Sequence, residues 1–200
     1  MDFIYERFKI ARGVKLEVIT GGSSYSGKVW REIAMQIYCE NGKTNYRQVG
    51  HFASGAPFLY DSPDETISIS HTEGCLVVAT ANKKAIATEG IPGIGVDVER
   101  ADREKVVSLA ERFLTETEME LLSRPLEVEQ AVVAWTCKEA MLKAGGDPGI
   151  NWRDNITLLR LPSPDAPGEG VMKLGDREVT LRLELYPYED FLISVAYSLA

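Results

Sequence analysis

Residues Gly93-Ile94-Gly95-Val96-Asp97-Val98-Glu99 narrow the possible folds more than any other stretch of the chain. Ile94, Val96 and Val98 alternate with Gly95, Asp97 and Glu99, the period of a strand with one apolar, core-facing side. Alternate strand residues lie about 6.6 Å apart on one face, so Asp97 and Glu99 project side by side from the other. Two carboxylates at that spacing repel unless something positive sits between them. A divalent cation with oxygen ligands meets that need. Taken alone, Asp-x-Glu on a strand is most often two solvated side chains.

A second unusual carboxylate stands forty residues after Glu99, in Trp135-Thr136-Cys137-Lys138-Glu139-Ala140-Met141-Leu142-Lys143. Wound at 3.6 residues per turn, residues 126–144 place Val128, Val132, Trp135, Glu139 and Leu142 on one stripe, with Glu139 near its centre. A carboxylate on an apolar stripe is costly to bury without a partner or metal. The spacing therefore predicts that Glu139 faces inward and meets Asp97 and Glu99. The alternative is an exposed i,i+4 pair with Lys143.

The rest of the chain reads as α plus antiparallel β. Residues 14–20 alternate as a strand. Residues 28–40 follow helical spacing, with Trp30 inward and Asn41-Gly42 as the stop. Residues 43–52 are extended and 54–57 form a turn. Residues 66–70 and 75–79 pair as a hairpin through His71-Thr72-Glu73-Gly74, and 81–92 is a polar connection. Helices are expected over 101–114, from Thr115, and over 126–144, the last stopped by Gly145-Gly146. Strands follow at 156–161, 179–185 and 191–197, with 162–170 as a loop.

Two hundred residues suffice for one sizeable core or two small packed lobes. The 44% apolar and 26% charged composition is that of a soluble globular protein, with no run long enough to span a membrane. Residues 1–7 lack the order of a signal peptide. Cys39, Cys75 and Cys137 are odd in number and scattered, suggesting neither disulfides nor zinc. The expectation is a cytoplasmic protein. A net charge of −8 argues against broad nucleic-acid binding. A polyanionic ligand would need a metal or clustered Lys and Arg to reverse the local field.

Gly95-Val96-Asp97-Val98-Glu99, followed by Trp135-Thr136-Cys137-Lys138-Glu139-Ala140 and Lys143, resembles the signature of the 4′-phosphopantetheinyl transferases. That signature is G-[IV]-D-x-E and then W-[STC]-x-K-E-[AS]-x-x-K. Gly55-Ala56-Pro57 and Ile69-Ser70-His71-Thr72 stand where such enzymes carry G-K-P and I-S-H-[ST]. The resemblance covers roughly 55–143 and, more faintly, the helix around Arg31. It implies an α+β fold of two halves related by a pseudo-twofold, each a small antiparallel sheet with helices. Residues 1–92 would form the N-terminal half and 93–200 the C-terminal half with the metal motifs, the substrate lying between them.

The activity implied is transfer of 4′-phosphopantetheine from coenzyme A to a serine of an acyl or peptidyl carrier protein. Adenosine 3′,5′-bisphosphate would be released. Asp97, Glu99 and Glu139 would hold Mg²⁺, and the resemblance makes Glu139, Glu118 and Lys143 the catalytic candidates. Ser70, His71, Lys138, Lys143 and Arg31 would contact the coenzyme. Lys143 is otherwise a helix C-terminal lysine favoured by the dipole, and His71 a turn histidine; His51 has no such role. Glu118 is either the base for the carrier serine or, with Thr115, half of a capping box. Residues 113–122 are the expected carrier-contact edge, and a monomer is expected.

The family's G-K-P lysine is Ala56 here. Lys28, Arg31, Lys43 or Arg47 would have to compensate, Arg31 foremost. Ala56 and the acidic balance favour an alternative, a degenerate relative that binds a carrier protein or nucleotide without turnover. Mg²⁺-dependent hydrolysis of a nucleotide pyrophosphate would use the same carboxylates.

Overall fold

Apolar alternation builds two antiparallel sheets, seen in a computed structural model that describes residues 3–41, 47–86, 91, 93–146 and 149–198. The first part of the chain runs β1 (Phe3–Ala11), β2 (Val14–Gly21), α1 (Gly27–Glu40), β3 (Val49–His51), β4 (Pro57–Leu59), β5 (Glu65–Thr72) and β6 (Cys75–Asn82). The second runs β7 (Ile94–Arg100), α2 (Lys105–Phe113), α3 (Glu116–Met119), α4 (Val128–Gly145), α5 (Trp152–Asn155), β8 (Ile156–Arg160), β9 (Gly168–Leu174), β10 (Arg177–Tyr188) and β11 (Phe191–Tyr197). One sheet has the order β1-β2-β6-β5 and the other β7-β11-β10-β9-β8, with β3 and β4 a separate ribbon.

The period of two decides what each sheet face meets. Val14, Leu16 and Val18 of β2, with Val77 and Ala79 of β6, pack against Ile94, Val96 and Val98 of β7 and Ile193 and Val195 of β11. The intervening residues Ile19, Leu76 and Val78 turn outward onto Trp30, Ala34 and Tyr38 of α1. Leu181, Leu183, Leu192 and Ala196 likewise turn outward, onto Val132, Ala140 and Met141 of α4. The layers are therefore α1, sheet, sheet, α4. Burying each large apolar side chain contributes about 1.5–3 kcal/mol.

Gly95 sets how closely α4 lies on β7. A Cβ there would stand 1.9 Å from the Ala140 carbonyl oxygen and 2.7 Å from the Ala144 nitrogen. The helix ends where Gly146 takes a left-handed φ of 66°, its N–H bonding the Leu142 carbonyl.

Four features differ from the sequence expectations. Strand β1 was not expected; it pairs along β2 from Phe3↔Gly21 to Ala11↔Val14. His71 and Thr72, expected in a turn, belong to β5, and the turn is Glu73-Gly74, with Gly74 at φ 80°. Strand β9 begins inside the expected loop 162–170. Its Gly168 and Gly170 are there for close packing, since a Cβ on Gly170 would meet Met141 Cε at 2.5 Å. Finally, α4 is buried nearly all round: Ala131, Ala134, Cys137, Lys138, Ala140 and Met141 are inside. The stripe that holds Trp135, Glu139 and Leu142 is its half-buried margin rather than its centre. The sheet, α2 and β8 all pack on this helix, so apolar residues are not confined to one face. Gly42, Lys43 and Pro92 lie outside the described residues. Among the described residues no helix is long and apolar enough to cross a membrane.

Candidate active site

Strand β5 lies beside β7 where the two sheets meet, and its alternate hydroxyls reach across. Ser68 Oγ accepts the Val96 N–H at 3.0 Å. Ser70 Oγ donates to Asp97 Oδ1 at 2.7 Å, and Thr72 Oγ1 donates to Glu99 Oε1 at 3.1 Å. This row belongs to the period of two and was visible as Ser68-x-Ser70-x-Thr72, but only Ser70 was singled out from the sequence.

Helix α4 supplies the opposite wall. Lys143 Nζ donates to Asp97 Oδ1 at 2.8 Å, Ser70 Oγ at 3.0 Å and the Val96 carbonyl at 3.1 Å. Glu99 accepts the Arg100 N–H and pairs with Arg103, whose guanidinium lies 5.7 Å from the Trp135 ring centre. Trp135, Glu139 and Lys143 are four residues apart and share one helix face. Glu139 thus sits between the Arg103–Glu99 and Lys143–Asp97 pairs. It is half-buried, and among the described residues no hydrogen bond reaches its carboxylate. Burial and then the charge of Asp97 push its pKa up to about 7, with Lys143 opposing.

Among the described residues no three acidic, histidine or cysteine side chains close into a metal-holding group, so the expected Asp97–Glu99–Glu139 cluster is not assembled. The physical reason is that Lys143 and Arg103 occupy Asp97 and Glu99 as internal counter-ions. The donor chemistry nevertheless suits a hard cation: Asp97 and Glu99 on β7 and Glu139 on α4 are oxygen donors, and among the described residues the Glu139 carboxylate has no hydrogen-bonding partner.

The Arg31 guanidinium lies 3.2 Å from His71 Nε2. Burial, Arg31 and Lys143 all hold the His71 imidazole below its ordinary pKa. Arg31, Ser70, His71 and Lys143 therefore gather at one place, beside Asp97. Lys138 is elsewhere. It is fully buried, donating to Glu118 at 2.8 Å, the Phe113 carbonyl at 2.6 Å and the Trp152 carbonyl at 3.3 Å. Where the resemblance implied a coenzyme contact, the structure puts an internal anchor, and burial pulls its ammonium below the ordinary lysine pKa.

Glu118 is 1% exposed. It completes a capping box with Thr115, accepts the Leu158 N–H at 2.8 Å and pairs with Lys138. Phe113, Leu114 and Leu122 of the expected carrier edge are buried too, with Leu121 exposed.

A cleft of about 880 Å³ opens beside this constellation, with walls from both sheets' halves of the chain. Ala56, Phe58, Ser68, Lys83, Lys143 and Trp152 are among its lining residues. Ala56 is thus on the wall. Of the cations considered as its replacement, Arg47 is committed to Glu17 at 2.9 and 3.0 Å and Lys28 pairs with Glu32. Lys83, on the same wall, was missed; the Lys83-Lys84 pair inside a polar connection was its only signal.

Asp97 bonded to Ser70 and Lys143, with Glu139 and the Arg31–His71 pair near by and a cleft beside Lys143, is an arrangement suited to phosphate oxygens. The sequence profile of the 4′-phosphopantetheinyl transferase superfamily matches residues 93–196, just over half of the chain, and the chain belongs to that superfamily. It is 33% identical over 149 residues to the 4′-phosphopantetheinyl transferase HetI of Nostoc sp., a match covering 71% of this chain and 56% of that protein. The chain thus matches little more than half the length of that curated relative.

Proposed function

We propose that the chain transfers 4′-phosphopantetheine from coenzyme A to a serine of an acyl or peptidyl carrier protein, with Mg²⁺, releasing adenosine 3′,5′-bisphosphate. The observation that carries this reading is the bonding of Asp97 to Lys143 and Ser70, with Glu139 coupled to the same pair, the Arg31–His71 contact next in the chain to Ser70, and a cleft beside Lys143. In this reading residues 1–92 and 93–200 work as one unit, because both contribute walls.

The serine oxygen attacks the phosphorus bearing the pantetheine arm, the bond to the departing adenosine bisphosphate breaks, and the serine proton leaves to solvent. Little covalent chemistry falls to the protein, so positioning and charge neutralisation are its main contributions. Lys143, His71 and Arg31 hold phosphate oxygens, a compact ammonium suiting one of them. Asp97, Glu99 and Glu139 would hold Mg²⁺, which when bound neutralises charge at the pyrophosphate. Lys83, which lines the same cleft and donates to the Pro63 carbonyl at 2.7 Å, would turn from that carbonyl to supply the cation that Ala56 lacks. Glu118 and Lys138 are framework in this reading, because every oxygen of the carboxylate already has a donor.

The test is intact-mass analysis of a purified apo carrier protein after incubation with this chain, coenzyme A and Mg²⁺. A phosphopantetheine-sized gain, lost with chelator and in Glu139→Ala, is the expected result. Tight coenzyme binding with no gain on several acyl and peptidyl carriers would select the non-catalytic module that Ala56 favours.

A further inference from the structure

Resting on that reading of the site, we propose that Lys143 is an exchange element that makes the metal and the pyrophosphate ligand bind cooperatively. In the free chain its ammonium neutralises Asp97 through Oδ1, and so takes up the charge that a cation binding this carboxylate would use. Ser70 Oγ donates to the same oxygen. A divalent ion and an ammonium compete for the single charge of Asp97, since like charges in a half-buried site repel strongly. Loading the metal therefore displaces Lys143.

Where Lys143 can go decides the consequence. Its other partners, Ser70 Oγ and the Val96 carbonyl, are neutral, so leaving Asp97 deprives the ammonium of its counter-charge. Its side chain is 30% exposed, carries a flexible four-carbon stem and lines the cleft. An anion in the cleft receives it; solvent alone receives it less well. Metal without the anion pays for a broken ion pair, and the anion without metal finds the lysine already engaged. Each ligand thus raises the other's affinity, by the same factor in both directions. Arg103 on Glu99 is a second internal cation of this kind, but its stacking on Trp135 gives it a place to remain.

The experiment is calorimetric titration of Mg²⁺ into carrier-free protein, with and without saturating coenzyme A, so that no turnover occurs. Wild-type affinity for Mg²⁺ is expected to rise at least about tenfold with coenzyme A. Lys143→Met, its fold confirmed by thermal melting, is expected to bind Mg²⁺ about tenfold tighter than wild type in the absence of coenzyme A, and to gain less than about threefold when it is added. Lys143→Gln is expected to behave likewise, and Lys143→Arg to keep the wild-type coupling. An unchanged Mg²⁺ affinity of free Lys143→Met and Lys143→Gln overturns the proposal. So does a coenzyme-dependent gain equal to wild type, while leaving the functional reading intact. Wild-type protein that binds no coenzyme A at any Mg²⁺ concentration overturns the functional reading and the coupling together.

Discussion

Removing one partner of the buried Glu118–Lys138 pair should separate the two roles open to Glu118. Its carboxylate accepts the Thr115 N–H at 2.8 Å, the Thr115 hydroxyl at 3.0 Å, the Leu158 N–H at 2.8 Å and the Lys138 ammonium at 2.8 Å. Glu118→Ala would orphan two backbone donors, at about 1–3 kcal/mol each if buried. It would also leave an uncompensated ammonium inside, at about 3–5 kcal/mol. These terms overlap, so a total of about 5 kcal/mol is expected, comparable with the whole stability of many domains. Lys138→Met leaves the carboxylate with three donors and should cost less, about 2–3 kcal/mol. The double variant Glu118→Gln with Lys138→Met removes both charges and keeps the amide acceptor. It should be about 2 kcal/mol more stable than the sum of its singles predicts. Urea unfolding, with midpoint and slope fitted together, measures all of these. Additivity within about 0.5 kcal/mol would refute the argument from the pair. Glu118→Gln that folds but loses more than about 100-fold in kcat would refute the framework role and restore the base.

Three further outcomes are expected. The Glu139 carboxyl is raised to about 7 from 4.5, so the native state holds an extra proton between those values and stability falls as pH rises through that window. Glu139→Gln should remove that fall and be about 1–2 kcal/mol more stable at pH 8 in chelator, less than the full shift implies because the half-exposed group is screened; a pH series of urea unfolding checks this, and an unchanged slope sinks it. Gly95→Ala should cost more than about 3 kcal/mol, since its Cβ would meet helix backbone at 1.9 Å that cannot step aside, and thermal melting measures it. Lys83→Ala should raise KM for coenzyme A about three- to tenfold with kcat nearly unchanged, as the loss of a surface-exposed phosphate contact does; a matching fall in kcat would place Lys83 in the chemical step instead.

Much of the site was legible because its period is local. Asp97 and Glu99 share a face by strand alternation, and Glu139 and Lys143 share one by helical spacing. The same alternation held Ser68, Ser70 and Thr72 together, although their meeting with β7 joins residues 27 or 28 positions apart and has no sequence signal. Lys138 misled because a lysine beside Glu139 in a phosphate-type motif looks like a ligand contact. Its direction is decided by 3.6 residues per turn and by what packs there, and the turn that carries Glu139 toward Asp97 carries Lys138 into the core. Strand β9 was missed because Gly168 and Gly170 look like loop until Met141 and Arg160 are seen against them.

By itself, then, the sequence determined the elements and the chemistry available on them: the alternating strand with two carboxylates, the helix that carries Glu139 and Lys143, and the α+β order. Only the tertiary structure decided the pairings. It put Lys143 on Asp97, Arg103 on Glu99, Glu118 on Lys138, and Lys83 in the lining of the cleft that Ala56 also lines. Dihedral preferences and apolar periodicity act over a few residues, and a sequence displays them directly. Charge pairing and close packing act between residues that the chain brings together from tens of positions apart, and they depend on the layered packing of the two sheets and their helices.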